Sequence, residues 1–103
     1  MTDRELIEAA AKAAGVYLAP EWRGHHKHLP DWNPLEDDGD ALRLAVALLL
    51  DVRHVHGKAH AGMQDEFWCT EAWFPNGAPA AATRRAITRA AAALAGTATG
   101  EKP

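Results

Sequence analysis

Along this chain the spacing of apolar positions changes from about 3.6 residues to two and back again, and the changes divide it into two helices, a strand-like middle and a third helix. Thr2-Asp3-Arg4-Glu5 has the form of a capping box, in which the Thr2 hydroxyl accepts from the backbone three residues on and Glu5 reaches back. Leu6, Ile7, Ala9, Ala10 and Ala13 follow as an apolar stripe, and Gly15 suits the left-handed residue that closes a helix. Helix 1 is therefore predicted over 2–14. Val16-Tyr17-Leu18 has room for a short strand before Pro20, and 21–35, with Gly24, Pro30 and Pro34, reads as a loop.

Helix 2 is predicted to start where Asp37 or Asp38 caps exposed N–H groups and neighbouring carboxylates meet the positive end of the helix dipole. From 41 to 49 only Arg43 is charged, which predicts a helix buried on nearly every side, the central one of the fold. The period then becomes two. A strand is predicted over 51–56, turn residues over 57–62, and a second strand over 66–74. In the second strand Phe67, Cys69 and Trp73 fall on one face and Trp68, Ala72 and Phe74 on the other, so both faces call for cover.

Helix 3 follows Asn76-Gly77, with Pro79 in its first turn. Ala80, Thr83, Ile87, Ala90, Ala91 and Leu94 share one face, with Arg85, Thr88 and Arg89 opposite; Gly96 is expected to end the helix. The expected fold is α+β: a small antiparallel sheet with helices on both faces, in the order helix, helix, strand, strand, helix, with the short strand after helix 1 as an addition. One domain over 1–96 and a disordered tail over 97–103 complete the expectation.

Three blocks carry a resemblance to a known family. They are Thr2-Asp3-Arg4-Glu5-Leu6 with the Ala-Ala-Lys-Ala-Ala-Gly run at 10–15, the stretch 32–48 that opens Trp32-Asn33-Pro34-Leu35-Glu36-Asp37-Asp38, and Ala81-Ala82-Thr83-Arg84-Arg85-Ala86-Ile87-Thr88-Arg89-Ala90-Ala91-Ala92. Together they resemble the phage ABA-sandwich domain, found in small proteins of bacteriophages and prophages. The resemblance implies α/β/α layering and a phage accessory role. It carries no catalytic residue and no cofactor.

Composition narrows the function classes. The chain has 103 residues, 11 Lys and Arg against 14 Asp and Glu, and a net charge of −3, so no overall basic surface draws it to nucleic acid or membrane. A lone Cys69 excludes an internal disulfide and fits a reducing compartment, and no apolar run approaches the ~20 residues of a membrane span. A protein of the bacterial host cytoplasm is expected.

The candidate chemistry is sparse. His54 and His56, two apart on the expected strand, would leave one face, and His60 or the Gly24-His25-His26-Lys27-His28 loop could supply a further nitrogen for zinc, although the spacing matches no metal signature. The acids at 36–40 fail the EF-hand pattern and suit helix capping. Arg84, Arg85 and Arg89 could hold phosphates, with Trp68, Trp73 or Trp22 to stack bases, or pair as a solvated helix face with the acidic block. Cys69 sits between aromatics mid-strand, where a cysteine serves as a small apolar residue.

The leading expectation is a non-catalytic phage accessory protein, without cofactor, that binds a host or phage protein through Trp22, Trp32 or Trp73 beside Asp37 and Asp38, in host takeover or against a host defence. A small-ligand or metal-binding protein using the histidine hairpin is the alternative, and nucleic-acid binding through helix 3 the weaker one. The edge strand and the Ala-rich helix are both compatible with a homodimer.

Overall fold

The computed structural model of the chain describes residues 2–16, 32–64 and 66–98. Helix α1 (Asp3–Ala14) forms as its ends dictate: Thr2 caps it, Glu5 N–H donates to Thr2 Oγ1 at 3.1 Å, and Thr2 N–H donates to Glu5 Oε1 at 2.9 Å. Gly15 stands at φ 76, with bonds from Gly15 N–H to Lys12 O and from Val16 N–H to Ala11 O that close the last turn as a Schellman motif. Leu6, Ile7, Ala10 and Ala11 are its buried residues, so the buried stripe runs through Ala11, with Ala9 and Ala13 at its margins.

Helix α2 (Asp38–Ala47) is capped by Asp37, whose side chain accepts from Asp40 N–H at 2.8 Å. The segment before it is built as firmly. Asn33 Oδ1 accepts from Leu35 N–H, buried Asp40 accepts from Asn33 N–H at 2.8 Å, and Pro34 is fully buried.

Strands β1 (Asp51–Val55), β2 (Lys58–Met63) and β3 (Phe67–Ala72) form one antiparallel sheet in the order β1-β2-β3. The region expected to be a turn therefore holds a strand. His56 (φ 47) and Gly57 (φ 77) alone make the connection, a two-residue hairpin whose positive φ angles match the twist of the strands. The small residues of β2 hide its strand character and are what the packing requires: Ala59 and Ala61 lie fully buried, and a Cβ on Gly62 would collide with the Phe67 carbonyl and the Trp68 backbone.

Helix α3 (Pro79–Ala98) runs through Gly96, which does not take a left-handed conformation, and so extends into the expected tail; residues 99–103, like 17–31 with the expected short strand, lie outside the described residues. This helix packs against α1, α2, β2 and β3, and it is the central helix of the fold. Its contacts are made by alanine: Ala86, Ala90 and Ala91 meet Ala59 and Ala61 of the sheet and Ala10 of α1 in one core cluster, with Leu44 and Ile87 its larger members. Thr88, expected on the polar face, is 0% exposed, and its hydroxyl donates to Arg84 O at 2.8 Å.

The class is the expected one, α+β with helices packed on an antiparallel sheet. The layering is different. Among the described residues the helices stack on one face of the sheet, that of Ala59, Ala61 and Cys69, with α3 next to the strands and α1 beyond it. On the other face Arg53, Trp68 and Thr70 are exposed. Helix α2, expected in the centre, lies at the margin: Leu42 and Val46 are each 63% exposed and Leu49 is 81% exposed.

Candidate functional site

The margin of the fold where α2, β1 and the start of α3 meet forms an apolar groove of about 420 Å³. Leu42 and Ala41 form one wall, Val52 and His54 of β1 another, and Pro79, Thr83 and Ile87 of α3 the floor. Leu42 and Val46, four residues apart on the outside of α2, are both exposed, and exposed Leu49 follows just past the end of the helix. Asp38 and Arg84, paired at 2.7 Å, also line the groove, and exposed Glu36 and Asp37 precede Asp38 in the chain.

Backbone geometry sets Leu49 apart. The bonds Leu50 N–H to Ala45 O and Leu49 N–H to Val46 O end α2 as a Schellman motif, and Leu49 takes the left-handed position at φ 55 that glycine occupies in α1. A branched apolar residue is thus held in a conformation disfavoured for it and exposed to solvent, where burial offers it nothing.

His54 is the polar group of the groove. Its Nε2 lies 2.8 Å from Thr83 Oγ1, and the Thr83 hydroxyl donates onward to Pro79 O at 2.7 Å. With the hydroxyl proton so engaged, His54 Nε2–H is the donor, and the ring sits edge-on to Trp73 at 5.9 Å. The metal alternative finds no support in the register. His54 faces the helices beside Ala59, His60 opposes Arg53 on the open face, and His56 lies in the turn, so the three are not brought together. Among the described residues no group of three or more His, Cys, Asp or Glu could hold a metal ion.

The three helix arginines each tie α3 to a different neighbour. Arg84 holds Asp38 and donates to Leu35 O at 2.9 Å, Arg85 holds Asp3 of α1 at 2.9 Å, and Arg89 holds Glu71 at 2.7 Å and Thr70 O at 3.1 Å. Of the tryptophans proposed for partner binding, Trp32 and Trp73 are half-buried and pack on the core, and Trp22 lies outside the described residues, as do His25, His26 and His28. Asp37 is engaged as the α2 cap and Asp38 by Arg84. Burial pushes the Cys69 thiol pKa above its ordinary value; nearby Arg89 pulls it down and Glu71 adds to the rise. A thiol so perturbed stays protonated near neutral pH and is a poor nucleophile.

On the open face of the sheet the Arg53 guanidinium lies over the Trp68 ring, 5.2 Å from its centroid. The His60 ring meets Trp68 edge-on at 6.5 Å, and its Nδ1 is 2.8 Å from Thr70 Oγ1. Sequence reasoning missed the groove, and on the open face it singled out Trp68 as a stacking residue but neither Arg53 nor the surface they share. The apolar residues at 42, 46 and 49 were read as core, and the Arg53–Trp68 contact depends on the register of a strand taken for a turn. No helix of the described residues is long and apolar enough to cross a membrane. Comparison with protein-family models, with curated proteins and with solved structures finds no match to this chain.

Proposed function

We propose that this is a non-catalytic accessory protein of a phage or prophage, acting in the bacterial cytoplasm by binding a host or phage protein in the groove between α2 and β1. The observation that carries the reading is Leu49. A side chain held in the left-handed region and left in solvent serves neither its own backbone nor the core, and with Leu42 and Val46 exposed just before it in the chain it has a use as a contact.

The groove also describes its occupant. An apolar lining that includes Asp38, with exposed Glu36 and Asp37 next to it in the chain, suits a protein segment whose apolar side chains are flanked by Lys or Arg. The outer edge of β1, beside which no strand lies among the described residues, offers backbone groups to such a segment in extended form.

The test is capture of a stoichiometric partner from host lysate, followed by binding of that purified partner to the wild-type protein and to a Leu42→Asp, Val46→Asp double variant. Both positions are exposed, so the variant should keep its circular dichroism spectrum while affinity drops by roughly 100-fold or more. A partner bound equally well by the variant, or no stoichiometric partner at all, overturns the proposal.

A further inference from the structure

Among the described residues the ion pairs leave one arginine out. Arg4, Arg43, Arg84, Arg85 and Arg89 each hold a carboxylate within 3.4 Å, whereas Arg53 has no carboxylate partner among the described residues and rests on the Trp68 ring. Stacking orders the guanidinium without consuming its N–H donors, so its charge and hydrogen-bonding capacity are held ready at a fixed place.

The register explains why a shelf forms there. Arg53, His60 and Thr70 stand in one row across the three strands, and Trp68 stands opposite Gly62 in the adjoining row. Together with Val55 these side chains line a shallow hollow of about 400 Å³. Thr70 holds His60 Nδ1, which leaves Nε2 as the ring nitrogen that a ligand can reach. Asp51 is the acid that the strands place on this face, and it accepts from Gln64 N–H at 3.3 Å.

We propose that this shelf binds a nucleotide unit: the base stacks on the Trp68–Arg53 pair, and the phosphate is held by Arg53 and His60. A flat ring and an anion held a few ångströms apart is what this pairing of aromatic and cationic groups complements, and guanidinium planes stack on bases as aromatic rings do. The site shares no residue with the groove between α2 and β1 and stands independently of it. Because the chain as a whole carries −3, the attraction is local, and affinity should lie in the range of non-specific binding, about 10⁻⁴ to 10⁻⁶ M.

The nucleotide could be free or part of a single strand, and two probes separate these. Fluorescence anisotropy with labelled oligothymidylate and oligouridylate of about twelve nucleotides reads the strand, and chemical-shift titration with AMP reads the free form. Binding of either probe, weakened about tenfold by Trp68→Leu and about fivefold by Arg53→Gln, supports the site and identifies its source. Arg53 lies on an exposed edge strand, so Arg53→Gln remains informative even if Trp68→Leu unfolds the chain. No binding of any probe at low salt, or binding that Arg53→Gln leaves unchanged, overturns the proposal.

Discussion

Cys69 stands on the helix-covered face of β3, opposite Ala61 and beside the Arg89–Glu71 pair, and the environment of this one side chain has a consequence for stability. Burial raises its pKa in the folded chain, so the thiol ionises more readily once the protein unfolds. Its contribution is complete below the ordinary thiol value and falls as pH rises from that value through the higher folded one, because in that window the unfolded state binds fewer protons. Urea unfolding of the wild type should therefore weaken across the alkaline window more than that of Cys69→Ala, with the two curves parallel at neutral pH and below. Equal slopes across the window would contradict the perturbed thiol. The sequence reads Cys69 as a small buried apolar residue, and in the fold it is half-buried. The charges beside it come from α3 and from β3 itself, and only folding sets them at that distance.

At the level of elements, the two Schellman ends make a comparison inside one molecule. Gly15 closes α1 with open space around it, and Leu49 closes α2 with the same hydrogen bonds and a side chain that the conformation disfavours. Leu49→Gly should raise stability by about 0.5–1 kcal/mol, measured by chemical denaturation, since little buried area is lost. It should also weaken the protein partner that the groove is proposed to bind. A loss of stability would show that Leu49 serves the fold after all. Helix starts were the most legible part of the sequence, because an N-cap depends on residues three or four positions apart, whereas the end expected at Gly96 is passed through by α3. Strand β2 was the least legible, because its alanines and glycine have low intrinsic strand preference and acquire it only from the helix packed on them.

For the molecule as a whole, α3 is the organising element, and its small side chains are the reason. Ala86, Ala90, Ala59 and Ala61 are all fully buried, and side chains this small let helix and sheet approach closely. Ala90→Leu should destabilise by about 1–3 kcal/mol in urea melts, since added atoms find no space and would part the helix from its neighbours. A neutral effect would mean that the layers are looser than their burial indicates. The arginines at 84, 85 and 89 fasten the same helix to three neighbours; of the two uses the sequence offered for them, pairing with the acidic block holds for Arg84 and Asp38, while Arg85 and Arg89 pair with Asp3 and Glu71.

What the sequence determined by itself was local: the capped starts of α1 and α2, the left-handed end at Gly15, the helical character of the alanine-rich C-terminal segment and the α+β class. Which helix is central, and which apolar residues stay in water, was decided only by tertiary structure. A run such as 41–49 is apolar on every side, so its periodicity holds no information about which side will be covered. Alanine, moderately apolar and small, gives little hydrophobic signal yet allows the closest packing, and so the alanine-rich helix took the interior and left Leu42, Val46 and Leu49 outside.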